Sequence, residues 1–344
     1  MYRCLELAKL GSGNVAPNPM VGAVLVHNDR IIGEGYHQKY GEAHAEPNCI
    51  ASVKDEDKHL IRDSAMYVSL EPCVHFGKTP PCADLIIKNK IPKIIIGCRD
   101  PFKEVNGKGI EKLQNAGIKV TQGVLEKECK ELNKRFLTFH TQHRPYIILK
   151  WAQTANRKMA TQGNDRLYIT NEFSNRIVHK WRSEESAILV GTNTALADDP
   201  ELTTRLWTGN HPVRLVVDMD LKLPLSLKLF NEKAKTIAFN KMLHKEQNNI
   251  LFYQVTEDVI LIHQLTNALY QLKIQSVIVE GGAKLLQSFI DEEMWDEVRI
   301  ITNEELIIDN GLSSPELSFY AKIFEQKILT DKIEIFKSRN NIYH

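Results

Sequence analysis

His44-Ala45-Glu46, and then Ala65-Met66-Tyr67-Val68-Ser69-Leu70-Glu71-Pro72-Cys73-Val74-His75-Phe76-Gly77-Lys78-Thr79-Pro80-Pro81-Cys82, is the stretch that decides the fold of the first half of this chain. The imidazole of His44 and the thiols of Cys73 and Cys82 fill three corners of a zinc tetrahedron. The fourth corner is left for water, as in a catalytic rather than a structural site. Glu46 stands two residues past the histidine, where a carboxylate can exchange protons with that water. Residues at i and i+2 of a helix do not face each other, so His44 and Glu46 share one metal only if a helix begins there with its N-terminus at the site. A second helix is expected to begin near Cys82, with Thr79-Pro80-Pro81 supplying a cap and first-turn prolines. A thiol at a helix N-terminus ionises readily, as a ligand thiolate must. The apolar run Ala65 to Leu70 reads as the strand that delivers Glu71-Pro72-Cys73 at its end.

His-x-Glu followed by Pro-Cys-x-x-Cys is the zinc deaminase signature. Here eight residues, Val74 to Pro81, separate the two cysteines. The alternative is a closed structural knot with His75 as fourth ligand. Glu46 argues against it, because a closed site needs no carboxylate beside the metal. Outward from this stretch, a helix is expected over 2–10, a loop over Asn14 to Pro19, and strands over Met20 to Val26 and Arg30 to Gly35 around an Asn28-Asp29 turn. Beyond it come a helix over 82–90, a strand Lys93 to Cys98, a helix over 108–116, a short strand Ile118 to Val120 and a helix over 125–138. Alternation of this kind predicts an α/β class, a sheet with helices packed on it. Both cysteines then sit at a strand end and a helix start, where ligand sites of α/β sheets gather.

At 344 residues the chain has the length of two ordinary domains, and 43% hydrophobic content supports real cores. A net charge of +1 excludes a bulk binder of nucleic acid or of membrane surfaces. Without an apolar run of transmembrane length or a charged-then-apolar leader, a soluble, unexported, cytoplasmic chain is expected. Six cysteines in a chain this long do not form a disulfide framework. Cys4, Cys49, Cys98 and Cys129 read as small core residues.

In the second half, His140 to Arg144 reads as a polar link. A strand Tyr146 to Trp151, a helix over 174–183 with Ser174 as N-cap, and strands over 186–190, Val213 to Asp218 and Lys235 to Asn240 follow. A helix over 258–272, a strand Ser276 to Glu280, a helix over 282–290 and a strand Glu297 to Thr302 make this half α/β as well. Glu280-Gly281-Gly282-Ala283 falls at a strand-to-helix junction, where glycines let a helix N-terminus approach phosphate. A simple tight turn is the alternative.

Residues 1 to about 142 resemble the deaminase half of the bifunctional riboflavin-biosynthesis family, the diaminohydroxyphosphoribosylaminopyrimidine deaminase / 5-amino-6-(5-phosphoribosylamino)uracil reductases. The likeness rests on Pro17-Asn18-Pro19-Met20-Val21-Gly22, Gly35-Tyr36-His37, His44-Ala45-Glu46, the whole Glu71-to-Cys82 segment and Asp100-Pro101. Residues 145 to about 302 resemble the reductase half, on Leu149-Lys150, Trp181-Arg182, Ile188-Leu189-Val190-Gly191-Thr192, Ala197-Asp198-Asp199-Pro200, Leu202-Thr203 with Arg205, and Val279-Glu280-Gly281-Gly282.

The resemblance implies a cytidine-deaminase-like α/β/α domain over 1–142 and a dihydrofolate-reductase-like α/β domain over 145–344. It further implies one zinc per chain on His44, Cys73 and Cys82, with Glu46 catalytic. The phosphoribosylated pyrimidine would meet Asn18, His37, His75, Lys78 and Asp100. In the second half Lys150 would be catalytic and Arg182, Leu202, Arg205 and Glu280 would touch substrate. NADPH would lie against Gln153, Tyr168, Thr194, Asp198 and the Gly282, Ala283, Lys284, Leu285, Leu286, Gln287, Ser288 helix start. The partner implied is a small molecule, with no nucleic acid and no membrane, and a homo-oligomer is left open.

Several positions depart from the family pattern. Pro47 stands where a β-branched residue is usual, and Phe102-Lys103 replaces Asn-Pro. Thr154-Ala155-Asn156-Arg157 replaces Ser-Leu-Asp-Gly, Met219 a small hydroxyl residue, and Tyr168 a tryptophan. The leading expectation is a deaminase and NADPH-dependent reductase acting in turn. Its rivals are an active deaminase beside an impaired reductase-like domain, and a zinc-stabilised binding protein.

Overall fold

Ile94, Ile95 and Ile96 are all buried although successive side chains of a strand point to opposite faces. A strand covered on both sides is the mark of a parallel sheet sandwiched by helices. The structure, a computed structural model, describes residues 1–76, 80–162 and 167–338, so Lys78 lies outside the described residues. The chain divides into two compact units, Met1–His143 and Arg144–His344.

In the first unit, α1 (Tyr2–Lys9), β1 (Gly22–His27), β2 (Arg30–Tyr36), α2 (Ala45–Ala51), β3 (Ala65–Leu70), α3 (Cys82–Lys88), β4 (Lys93–Cys98), α4 (Lys108–Asn115), β5 (Lys119–Thr121), α5 (Glu126–Leu132) and α6 (Lys134–Gln142) follow in order. The sheet runs β2-β1-β3-β4-β5. β1 is antiparallel to β2 and β3, while β3, β4 and β5 are parallel. Asn28 and Asp29 both adopt positive φ, as a two-residue hairpin turn demands. Leu25, Met66, Ile86, Ile94, Ile96 and Leu113 form the core beneath the helices. Gly35 lets α2 lie close on the sheet, since a Cβ there would come within 2.2 Å of the Cys49 amide nitrogen. That close packing fixes where α2, and therefore His44, begins.

Two local expectations fail here. The single helix over 125–138 is two helices broken at Asn133. The buried Asn133 side chain accepts from the Met20 N–H at 2.8 Å and donates to the Met20 carbonyl at 2.9 Å, which anchors this point of the chain to the loop before β1. α6 then continues to Gln142, so most of the polar 140–144 segment is helix rather than link.

The second unit comprises β6 (Tyr146–Thr154), β7 (Lys158–Thr161), α7 (Glu172–Glu184), β8 (Ala187–Gly191), α8 (Thr192–Asp198), β9 (Val213–Val217), β10 (Thr236–Asn240), β11 (Lys245–Gln247), β12 (Ile250–Gln254), α9 (Leu261–Gln271), β13 (Ser276–Val279), α10 (Ala283–Asp291), β14 (Glu297–Asn303), β15 (Gly311–Ser313), β16 (Tyr320–Ile328) and β17 (Asp331–Ser338). Ten strands form one sheet in the order β11-β12-β10-β9-β8-β13-β6-β14-β17-β16, parallel from β12 to β14 and antiparallel at both ends. Apolar cores lie on both faces of it.

Ser174 does not cap α7. Asn171 does, its Oδ1 accepting the N–H groups of Phe173 and Ser174 at 3.0 Å each, and Ser174 is buried inside the first turn. The elements absent from the sequence reading are α8, β7, β11, β12 and the three strands after β14. β11 and β16 lie at sheet edges and are exposed along most of their length, so no period-2 alternation marks them.

Candidate active sites

Three chain segments converge on one point in the first unit. His44 is the extended N-cap of α2, Cys73 follows β3, and Cys82 is the first residue of α3. Pro81 is the N-cap of α3, so the prolines precede the helix instead of occupying its first turn. Pro47 is the third residue of α2, where a helix N–H has no intrahelical partner to lose. The ligand atoms of His44, Cys73 and Cys82 all lie within 4.8 Å of one another, and among the described residues His75 does not join them. His44 Nδ1 is 3.4 Å from Cys82 Sγ and 3.6 Å from Cys73 Sγ. A tetrahedral ion with Zn–S about 2.3 Å and Zn–N about 2.0–2.1 Å puts nitrogen and sulfur roughly 3.6 Å apart. Donor set and spacing therefore fit zinc with one corner open.

The electrostatics agree. The Cys82 backbone N–H donates to Cys73 Sγ at 3.3 Å. The Cys82 thiol bonding to Cys73 is the main influence bringing Cys73 down to about 4; burial opposes it, and His44 helps. Cys82, the donor of that bond and deeply buried, is raised instead. A bound cation needs both sulfurs as thiolates, so metal binding releases protons. Glu46 is buried beside them. Burial first, and the negative charge of Cys73 second, push its carboxyl above the usual range.

Around this point stand the other groups expected to meet a pyrimidine. His37 is buried, its ring edge-on to His44 at 5.2 Å between centroids. Its Nδ1 lies 3.0 Å from the Ala43 carbonyl and so carries the proton, leaving Nε2 to accept from the Asn18 amide at 3.1 Å. Burial lowers the His37 pKa and keeps the ring neutral. Asp100, two residues past β4, is buried and pushed up to about 7. Desolvation is the main cause and the charges of Glu71 and Cys73 add to it, against the Phe102 N–H that donates to it at 2.8 Å. His75 packs edge-on against Phe102 at 5.8 Å, and its Nδ1 is buried with no hydrogen-bond partner among the described residues.

In the second unit the parallel register pairs Val279 of β13 with Leu149 of β6, which sets Glu280 beside Lys150. Arg182 of α7 grips Glu280 with two parallel hydrogen bonds of 2.8 and 2.7 Å, and Lys150 Nζ lies 3.8 Å from the same carboxylate. Burial would raise the Glu280 pKa, but Arg182 and Lys150 outweigh it and hold the carboxyl at about 2. Burial lowers Lys150, with Glu280 working against it.

Gly282 has φ +78°, and a Cβ on Gly281 would come within 2.7 Å of Thr194 Cγ2. The start of α10 thus touches the start of α8 through a gap only glycine leaves. Ala283, Lys284 and Leu285 form the first turn of α10, whereas Leu286 buries its side chain in the core. The Ser288 hydroxyl donates to the Lys284 carbonyl, and Gln287 is engaged with Asp291 and Glu316. Gln153 bridges Trp151 Nε1 and Thr302 Oγ1, Tyr168 is mostly exposed, and Asp198 ends α8 at the far side from Thr194.

Leu202 adopts φ +55° at the head of a loop whose Arg205 N–H donates to His179 Nδ1 at 3.0 Å. Arg205 itself pairs with Glu201 at 3.1 Å. His179 was not singled out in the sequence, although it lies one helical turn before Arg182 on α7. Two of the departures also take physical form. Arg157 holds φ +61° where the family has glycine, and Asn156 Oδ1 accepts the Thr154 hydroxyl at 2.7 Å, so the exchange falls in a turn. Met219 packs against the core.

Fold and sites together define a zinc-dependent hydrolytic deaminase joined in one chain to a dihydrofolate-reductase-like domain. Residues 1–98 match the cytidine and deoxycytidylate deaminase zinc-binding region, and residues 145–304 match the RibD C-terminal domain. The riboflavin biosynthesis protein RibD of Aquifex aeolicus is 40% identical, over 97% of this chain and 94% of its own. That of Escherichia coli K12 is 31% identical, over 89% and 87%. A crystal structure of the Thermotoga maritima diaminohydroxyphosphoribosylaminopyrimidine deaminase / 5-amino-6-(5-phosphoribosylamino)uracil reductase superposes with a TM-score of 0.89 at 36% identity, covering 98% of this chain and 97% of that one. The chain belongs to the RibD family of riboflavin biosynthesis. It is a bifunctional enzyme, a deaminase that uses zinc and a reductase that uses NADPH.

Proposed function

We propose that the first unit deaminates 2,5-diamino-6-(5-phosphoribosylamino)pyrimidin-4(3H)-one, and that the second reduces the ribosyl side chain of the resulting 5-amino-6-(5-phosphoribosylamino)uracil to ribityl. The observation that carries this reading is the open three-donor cluster with Glu46 buried against it. Bound there, zinc supplies a Lewis acid that lowers the pKa of water to ~7. Glu46 takes the proton of the attacking water, passes it to the ring nitrogen and later delivers a proton to the departing ammonia. Asn18, His37, His75 and Asp100 orient the pyrimidine, and Lys78 lies in the same ligand loop.

NADPH supplies hydride when bound. Lys150, lowered by burial, donates a proton beside the reacting sugar carbon. Arg205, half-exposed on its loop, is the group in reach of a ribose phosphate, while Arg182 and Glu280 align each other beside Lys150. Cofactor phosphates sit at the start of α10, where Gly282 opens the helix at φ +78° and the helix N-terminus attracts negative charge. All six cysteines are free, which suits a reducing, cytoplasmic setting. The second reading, an active deaminase beside an impaired reductase, rests on Asn156-Arg157, which stand in place of the family's Asp-Gly, and on Met219, which offers no hydroxyl to a cofactor 2′-phosphate. No helix among the described residues is long and apolar enough to cross a membrane.

Incubation with the diaminopyrimidinone, with and without NADPH, followed by product mass is the test. Without NADPH the amine should be exchanged for oxygen and nothing else change. With it, two hydrogens should be added as well. Failure of metal-replete protein to release ammonia would remove the first assignment. Deaminated but unreduced product in the presence of NADPH would favour the second reading.

A further inference from the structure

Glu71 precedes the zinc-ligand segment Pro72-Cys73 and is buried, yet nothing in the reaction uses it. Its carboxylate receives four backbone N–H groups. Oε2 accepts from Asp100 at 3.3 Å and Gly107 at 3.0 Å, and Oε1 from Gly109 at 3.0 Å and Ile110 at 3.3 Å. α4 cannot cap itself, because its N-cap is Gly107 in the left-handed conformation. Glu71 caps it from another strand, and in the same grip holds the residue after Arg99. A carboxylate at a helix N-terminus is favoured by both the free N–H groups and the dipole.

Steric fit gives a second, independent sign of the same junction. A Cβ on Gly109 would sit 2.2 Å from the Pro72 carbonyl oxygen, so α4 starts in direct contact with the ligand segment. Between the two gripped points, 100 and 107, lies the loop carrying Asp100 and Phe102, and Phe102 packs on His75 two residues past Cys73. The loop is thus tied to the ligand segment on both sides of the metal cysteine.

We infer that Glu71 is a positioning residue of the deaminase: it sets Asp100 in register with Cys73, and so acts on substrate binding without touching substrate. This rests on the reading of Asp100 as a substrate contact. Glu71→Gln keeps the shape but turns an amide donor toward backbone N–H groups. Hydrogen bonds to a charged group of this kind are worth ~10–100-fold. The KM for the pyrimidine should rise by about that factor, with kcat little changed, zinc retained and the reductase rate intact. Glu71→Asp, which keeps both oxygens one methylene short, should rise less, and it carries the test if the glutamine variant does not fold. Asp100→Asn is run in parallel, together with the double variant. The double variant should lose less than the two single losses combined, because both act through one group. Unchanged KM in a zinc-loaded Glu71 variant that is merely less heat-stable would overturn the inference and leave a structural cap. So would zinc loss with a fallen kcat and unchanged KM. A raised KM in Asp100→Asn without one in Glu71→Gln sinks the inference alone. No effect of Asp100→Asn removes the substrate reading and the inference with it.

Discussion

The two sites of this chain handle buried charge in opposite ways. In the first unit, His44, Cys73 and Cys82 bring three lone-pair donors within 4.8 Å of one another, with the buried carboxyl of Glu46 beside them. In the second, Glu280 is fully ionised because Arg182 and Lys150 already neutralise it. A surplus of donors marks a place for a small positive ion, which completes the electrostatics on arrival. A network satisfied within the protein calls for no ion, and there the sign of a ligand is in the backbone, where Gly281 packs against Thr194 and Gly282 opens α10 at φ +78°.

Glu46→Gln should separate the two most sharply. It preserves size and ligation but cannot carry protons, and general acid–base groups contribute ~10²–10⁴ in rate. Ammonia release from the diamino substrate should fall by at least the upper end of that range. NADPH consumption with the already deaminated substrate should stay normal. Ammonia release close to wild type would dismiss Glu46 as the proton carrier, and loss of both activities would break the contrast between independent sites.

Glu280→Gln tests the opposite side. It leaves Arg182 and Lys150 buried without their counter-charge, and breaking one partner out of a buried ion network costs about 3–5 kcal/mol. Denaturant unfolding of the second unit should shift by that order, while ammonia release is retained. A shift under about 1 kcal/mol, the worth of an exposed pair, would mean that solvent already screens the cluster.

The difference also explains what the sequence could disclose. The metal donors lie on short local segments, so their order and spacing can be read directly, and the strands Ala65–Leu70 and Lys93–Cys98 have the ends their apolar runs imply. Arg182 and Glu280 are 98 residues apart and meet only through sheet order, which a family resemblance supplies and periodicity does not. Glu71 stands within a legible motif, yet its contacts are to backbone groups 29 to 39 residues away. The Asn133 break is not legible in the sequence, because a side-chain contact to Met20, 113 residues distant, interrupts an otherwise helical pattern. Edge strands such as Tyr320–Ile328 carry no burial pattern at all.

A smaller effect sharpens the second site. Gly282→Asp adds a side chain and a negative charge at φ +78°, at the helix start assigned to cofactor phosphate. Removing a favourable helix-terminus interaction and adding repulsion should weaken NADPH about tenfold in a titration, with deamination untouched. Comparing NADPH and NADH in the wild type then measures what Met219 withholds. Undiminished NADPH affinity in the variant would move the phosphates elsewhere.

The last contrast lies at His179, buried at the joint between α7 and the Arg205 loop. Burial lowers it, and the neighbouring charges of Arg182 and Arg205 lower it further, to about 4, with Glu280 opposing them. Its Nδ1 must stay unprotonated to accept the Arg205 N–H. In the unfolded chain the same ring titrates near 6.5. Between these values the unfolded state binds a proton that the folded state refuses, so stability falls as pH drops from 6.5 toward 4 and is independent of this group above 6.5. One proton limits the slope to about 1.4 kcal/mol per pH unit. All four tryptophans, Trp151, Trp181, Trp207 and Trp295, lie in the second unit, so their fluorescence reports its unfolding in the full-length chain. Wild type should lose stability across that window, and His179→Gln, which does not titrate, should lose less. Equal slopes in the two proteins would show that the ring is already free to take its proton in the folded state, and that the Arg205 loop is not held by it.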